Sequence, residues 1–215
     1  MVRIENVSHY YKSKNADYII KDISFEINNG EFLALTGASG CGKSTIASIV
    51  AGFLFPITGS VSIENEIITG KPSKKILLLN QQSDLFPWQS VKKHILFVVE
   101  GASKKEKNEK ADELLKMVKL ENDKDKYPFE LSGGMQKRLS LARALAVEHE
   151  LLILDEAFAS LDVELKLSLY DDLKKIWNKK NTSVLLISHD KSDVLHMADR
   201  EIILSGSNPS TIYKV

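Results

Sequence analysis

The sequence has one cysteine, no net charge and no long apolar run, and each lack closes a class of function. With Cys41 alone, no internal disulfide can form, and the chain fits a reducing, cytoplasmic compartment. The 29 Lys+Arg residues balance 29 Asp+Glu, so the overall field favours neither a nucleic-acid backbone nor an anionic lipid surface. Nucleic acid is therefore not an expected partner. The longest apolar stretches, such as IVAGFLF, fall far short of the about 18 residues that a membrane-spanning helix requires. The start, MVRIENVSHYYK, lacks the apolar stretch of an export leader. The expectation is a protein neither secreted nor inserted in a membrane. Repeats and low-complexity linkers are missing too. With 215 residues and 43% hydrophobic content, the chain is long enough to bury one sizeable core, with room for an inserted subdomain.

Two kinds of apolar pattern are present. VRIENV, DISFEI and SVSIENEII alternate with period two, which predicts half-buried strands in an N-terminal antiparallel layer. EFLALTG, KILLLNQ, LLILDE and SVLLIS are short continuous apolar runs bounded by turn or polar residues, as in strands buried on both faces of a parallel sheet. Between Val91 and Leu120 the period becomes helical, with Ala111, Leu114, Leu115 and Val118 in one stripe beside the charged run KKEKNEK, a solvated helix face. The expected organisation is a single domain: residues 1–85 and 150–215 form an α/β core with its antiparallel layer, and about 86–149 form a helical subdomain.

Gly37, four residues, then Gly42, Lys43 and Ser44 complete the G-x-x-x-x-G-K-[ST] pattern, after the apolar strand FLALT and before the helical run TIASIVAGF. An ordinary glycine-rich turn carrying a lysine has no need of both flanks. Through Gly37, Ser39, Gly40, Cys41, Gly42 and Thr45 the loop offers backbone N–H groups to a nucleotide's phosphates. Lys43 supplies charge to the β- and γ-phosphates, and the Ser44 hydroxyl is a ligand for Mg²⁺. Cys41 is read as a small residue tolerated by tight geometry, whose alkylation bound ATP should block. In LLILDE an apolar strand ends in two carboxylates at the edge where ligands bind in such sheets. Asp155 is placed to hold Mg²⁺ through its hydration shell, and Glu156 to act as general base for an attacking water.

LSGGMQKR, from Leu131 to Arg138, has two glycines after a serine at the start of a helix, a second nest of N–H groups in a chain that already has one. A phosphate loop, LSGGMQ and a hydrophobic strand ending in DE, in that order, resemble the ATP-binding cassette family, the nucleotide-binding subunits of ABC transporters. The resemblance covers nearly the whole chain. Smaller marks follow in the family's order: Gln81 after KILLLN, the turn ASLD from Ala159 to Asp162, and His189 after SVLLIS. Gln81 rather than Gln82 fits the family's spacing to the LFP that follows.

The resemblance implies an α/β P-loop NTPase core of RecA-like type, with the antiparallel layer and the helical insertion added. It implies an ATPase that uses ATP and Mg²⁺, and a head-to-tail dimer in which Ser132, Gly133, Gly134 and Gln136 of one copy close over the nucleotide of the other. Tyr11 takes the place of the aromatic that stacks on adenine, His189 contacts the γ-phosphate, Gln81 completes a Mg²⁺ shell with Ser44 and Asp155, and Asp162 links the two sites. Phe86 and Trp88, exposed in the apolar segment LFPW, are placed to dock a short helix of an integral membrane permease.

The implied partners are a second identical or similar cassette, permease subunits and an extracytoplasmic solute-binding protein, with the chain at the cytoplasmic face of the cell membrane. LFPW with LSGGMQ is most similar to importers of nitrate, taurine and aliphatic sulfonates. Asn80, Ala38 and Ala157 depart from the family pattern without removing a functional group. The chain's end at Val215 suggests no C-terminal regulatory domain.

Other classes fit less well. A P-loop kinase or GTPase has no use for LSGGMQ, and NKKN at Asn178 lacks the acid of a guanine-reading motif. Repair or chromosome-associated cassettes need a long coiled coil between the phosphate loop and the signature, and no sustained heptads occur there. A translation factor of this type carries two cassettes in one chain. An exporter ATPase, or an ATP-binding interaction module without turnover, stands as the alternative, and the intact Glu156 and His189 argue against the latter.

Overall fold

The computed structural model describes residues 1–11, 18–80, 84–101, 103–159, 161, 163–206 and 209–214, with the backbone alone at 172, 178–180, 213 and 214. The period-two segments form β1 (Val2–His9), β2 (Ile20–Ile27), β4 (Thr58–Ile63) and β5 (Glu66–Ile67), an antiparallel sheet in the order β2-β1-β4-β5. In β1 the inward positions Val2 and Ile4 are buried, as the alternation requires. The register then shifts between Ile4 and Val7 and again between Val7 and His9. Val7, Ser8 and His9 are consequently all buried in succession.

The continuous apolar runs form four strands of a second sheet, although the one from KILLLNQ is half-buried rather than buried on both faces. Its strands are β3 (Phe32–Thr36), β6 (Ile76–Leu79), β7 (Leu151–Asp155), β8 (Ser183–Ile187), β9 (Arg200–Leu204) and β10 (Ile212–Lys214), in the order β10-β9-β3-β8-β7-β6. β3, β7, β8 and β9 pair in parallel, and β10 joins antiparallel at the edge. Every residue of β7 and β8 is buried, which explains why these two segments show no alternation. Helix α1 (Lys43–Val50) follows β3 directly. Its Ile46, Ile49 and Val50 join Ile4 and Ile27 of the antiparallel sheet and Leu33, Ile153 and Leu185 of the parallel one in a single apolar core.

The chain divides into two compact units: residues 1–78, 149–156 and 177–215 make one, and residues 79–148 and 157–176 the other. The second is wider than the 86–149 expected from the helical period, because it includes most of α5 (Val163–Lys180). Within it α2 (Val91–Val98), α3 (Lys104–Met117) and α4 (Gly133–Ala146) pack on one another. The expected stripe of Ala111, Leu114, Leu115 and Val118 is the buried face of α3 and its end. A capping box opens α3: the Glu106 amide donates to Ser103 Oγ (3.2 Å), and the Ser103 amide to Glu106 Oε2 (3.1 Å). Arg138 of α4 closes it by donating to the carbonyls of Val118 and Lys119, each at 3.0 Å. No described helix is long and apolar enough to cross a membrane.

Candidate functional site

The turn from β3 into α1 is built from glycines at positive φ: Gly37 at 143°, Gly40 at 77° and Gly42 at 94°. At Gly42 the need is steric as well, since a Cβ there would lie 2.5 Å from a methyl of Ile20. Glycines at positive φ let the loop curl ahead of α1, the backbone form in which successive N–H groups can take an anion. Lys43 is buried, and its Nζ donates to the carbonyls of Gly37 (2.9 Å) and Ala38 (2.8 Å), with Cys41 Sγ at 3.8 Å. The ammonium is thus held inside the loop's curl. Cys41 is a buried free thiol.

Ser44, the next residue of α1, has its hydroxyl near enough to the Asp155 carboxylate at the end of β7 to draw down that carboxyl's pKa. Asp155 is 7% exposed, and its Oδ1 is buried without a hydrogen-bond partner among the described residues. Burial pushes the Asp155 carboxyl above its ordinary range, against the pull of the Ser44 hydroxyl; the neighbouring Glu156 charge raises it further and Lys43 opposes. A buried carboxylate oxygen with no donor, next to a hydroxyl, fits Mg²⁺, which takes one or two protein oxygens and completes its shell with water and phosphate. No group of three His, Cys, Asp or Glu suited to a metal occurs among the described residues.

Glu156 follows in the left-handed region, at φ 51°, with its amide donating to the Ile187 carbonyl at 3.0 Å. This turn brings the carboxylate to His189, whose Nδ1 lies 3.3 Å from Glu156 Oε1. His189 is itself set by a local network. Ser188 Oγ donates to Asp193 Oδ2 (2.6 Å) and accepts from the Asp190 amide (3.0 Å), and the Ser192 amide donates to Asp190 Oδ1 (2.8 Å). A cleft of about 710 Å³ runs between His189 and Gly37, with Thr36, Val194 and Leu195 also in its wall. Tyr11 stands at another side of the loop, its hydroxyl 3.3 Å from Thr45 Oγ1. Phosphate loop, Asp155, Glu156, His189 and Tyr11 therefore belong to one compact unit, although they come from four separate stretches of sequence.

The signature residues lie in the other unit. Ser132 caps α4, accepting from the Met135 amide at 3.3 Å, and both Ser132 and Gly133 are exposed. A Cβ at Gly133 would meet open space, so its own unit leaves that approach clear. Gln136 is already engaged: its Nε2 donates to the carbonyls of Pro128 (2.9 Å) and Leu131 (3.4 Å), holding the turn that leads into α4. Gly134 follows Gly133 in the first turn of α4. Gln81 and Asp162 lie outside the described residues.

Phe86 is half-buried at the centre of an aromatic group. Trp88 stacks on it at 5.4 Å, His94 at 5.8 Å, and Phe97 meets it edge-on at 5.8 Å. Trp88 and Phe97 are 70% and 66% exposed. Arg143, from α4, places its guanidinium 5.5 Å from the Phe86 ring centre and donates through Nη1 to the Asp84 carbonyl at 2.7 Å. His94 is fully buried, with Nε2 3.1 Å from the Phe86 carbonyl, and burial pushes its pKa down. Arg143 and the Ser188-Asp193 pair escaped the sequence reading. Each looked like an ordinary polar residue of a helix or its entrance, and only the spacing of Ser188 to the helix that follows offered a signal.

The comparisons with known proteins agree with this geometry. The ABC transporter family model matches residues 20–159. A bicarbonate transport ATP-binding protein of Synechocystis sp. is 38% identical over 217 residues, which cover 99% of this chain and 77% of that one. An aliphatic sulfonates import ATP-binding protein of Bacillus cereus is 36% identical over 215 residues, 100% of this chain and 84% of the other. Among solved structures, a dimeric ATP-binding cassette in a post-hydrolysis state, bound to ADP and Pi, superposes with a TM-score of 0.86 at 30% identity, covering 100% of this chain and 97% of that one. Sequence match along the full length and a shared fold around the phosphate loop lead to one conclusion: the chain belongs to the ABC transporter family, as one of its ATP-hydrolysing cassettes.

Proposed function

We propose that this chain is the ATP-hydrolysing subunit of an importer of a small anion such as nitrate, a sulfonate or taurine, working as a dimer at the cytoplasmic face of the membrane. The single observation that carries the reading is the split site: the phosphate loop, Asp155, Glu156 and His189 lie in one compact unit and the exposed signature turn in the other. Relatives named for bicarbonate and for aliphatic sulfonates support the substrate class. The solved dimer supports the assembly. An extracytoplasmic solute-binding protein and permease subunits complete the proposed transporter.

In the proposed cycle the loop from Gly37 to Thr45, including Ser39, Gly40 and Cys41, wraps the phosphates with backbone N–H groups, while Lys43 moves from its carbonyl partners to the β- and γ-phosphates. Ser44, Asp155 and Gln81 would hold Mg²⁺, which when bound would supply Lewis-acid stabilisation of charge on the phosphate oxygens. Glu156 accepts a proton from the attacking water, and His189, hydrogen-bonded to that carboxylate, orients it toward the γ-phosphate. Ser132, Gly133 and Gly134 of the second copy donate to the same phosphate, backed by the positive end of α4, and Gln136 keeps that turn in shape. Asp162 joins the two sites. Loss of the γ-phosphate removes the contacts that bridge the copies, so hydrolysis opens the dimer. Phe86 and Trp88 pass that motion to the permease.

Crosslinking tests the assembly. In a Glu156→Gln, Cys41→Ala background, cysteines placed at Ser39 and Ser132 should crosslink between two molecules when ATP saturates the protein, and not without ATP. Crosslinks confined to single molecules would remove the dimer from the proposal.

A further inference from the structure

At the end of β1 stands a histidine for which the phosphate chemistry has no use. The paired register shifts of β1 turn His9 inward, leaving it 6% exposed. Neither ring nitrogen has a hydrogen-bond partner among the described residues. A buried imidazole without partners costs free energy that an apolar side chain of similar size would not. What the ring does have is an aromatic neighbour: its centroid lies 5.0 Å from that of Tyr11, with the planes at 79°. This is the edge-to-face arrangement in which the positive edge of one ring meets the negative face of the other.

Tyr11 is held at its far end as well, by the 3.3 Å contact of its hydroxyl with Thr45 Oγ1, and Thr45 is buried in the first turn of α1. Yet Tyr11 remains 50% exposed. A half-exposed tyrosine with free rotamers loses freedom when a ligand stacks on it, and that loss weakens binding. Tyr11 is clamped before any ligand arrives, by a ring against its body and a hydroxyl at its tip.

We propose that His9 is a positioning residue for the nucleotide base: packed edge-on against Tyr11 while Thr45 holds the phenol oxygen, it fixes the tyrosine ring as a preformed platform for a purine. The proposal rests on Tyr11 being the base contact. It confines the contribution of His9 to the base, because the phosphates are held by the loop from Gly37 to Thr45, which does not need the Tyr11 ring.

Calorimetric titration of the full chain carrying Glu156→Gln, with Mg·ATP and with Mg·tripolyphosphate, separates base from phosphates. His9→Ala should weaken ATP by about 2- to 10-fold, the worth of one edge-to-face aromatic pair, and leave tripolyphosphate unchanged. His9→Leu fills the volume without a ring and should lose the same factor for ATP, whereas His9→Phe should restore it. In a Tyr11→Ala background, His9→Ala should have no further effect. Equal weakening of both ligands, or unchanged ATP affinity in both His9→Ala and His9→Leu, overturns the role of His9. Tyr11→Ala with unimpaired ATP binding strikes the platform itself; Tyr11→Ala weakening ATP while His9→Ala does not strikes His9 alone.

Discussion

Replacing Glu156 by glycine should make the protein more stable and inactive at once. At φ 51° the glutamate backbone lies in the left-handed region, which costs a residue with a Cβ of order 1–3 kcal/mol. Glycine relieves that strain, and its extra freedom in the unfolded chain takes back about 0.4–1 kcal/mol. The lost contact with His189, whose side chain is 65% exposed, is screened by water and is worth roughly 0–1 kcal/mol. The balance is a gain of about 1 kcal/mol, or a rise of about 2–4 °C in Tm for a chain of this size. Glu156→Gln keeps the Cβ and the backbone strain, so its Tm should stay with the parent. Both variants should lose turnover by about 10²-fold or more, as removal of a general base does. Thermal unfolding by circular dichroism and steady-state phosphate release read the two effects separately. A lower Tm for Glu156→Gly would refute the strain argument, and parental turnover in Glu156→Gln would remove the carboxylate from the chemistry.

Other outcomes follow from the same geometry. Trp88, 70% exposed on the aromatic group, should be replaceable by alanine with no change in Tm or in the free subunit's turnover, while the yield of permease co-purified with it falls; an unchanged yield would count against docking there. Arg143→Ala removes both the hydrogen bond to the Asp84 carbonyl and the cation over Phe86, so urea unfolding should show a loss of about 1–3 kcal/mol. Lysine should not rescue it, because an ammonium lacks the planar fork.

Asp155 predicts a pH dependence. Its pKa is raised in the folded state, so between the ordinary carboxylate value and the raised one the folded protein binds more protons than the unfolded chain. The stability this group contributes is fully present below the ordinary value and is lost as pH rises through the folded pKa. Asp155→Asn should therefore stabilise the ligand-free protein at neutral pH and flatten that stretch of the stability profile, while weakening Mg·ATP binding. A profile that Asp155→Asn leaves unaltered would show that burial does not raise the carboxyl.

Much of the site was legible because its chemistry is local. A phosphate loop needs its glycines, lysine and hydroxyl within nine consecutive residues, flanked by a strand and a helix, and Gly37 to Thr45 meet that need in one reading. The same holds for the strand that ends in Asp155 and Glu156, since β7 is buried on both faces and its sequence can only be apolar up to the edge. Helical period likewise marked the buried face of α3 from Ala111 to Val118. Boundaries were harder. The first part of α5 groups with residues 79–148, and an amphipathic helix carries no sign of which unit will cover its apolar stripe.

The residues by themselves determined the alternating strands, the continuous apolar strands and the apolar face of α3, and they marked the candidate groups for phosphate and metal. All of these depend on neighbours close in the chain. Only the tertiary structure decided that β1 slips register and turns His9 inward against Tyr11, that Arg143 lies over Phe86, and that Glu156 meets His189 across 33 residues from a left-handed backbone. Those arrangements come from packing between segments distant in sequence, where the same side chain can face solvent or a neighbour at little local cost, and the choice belongs to the whole fold.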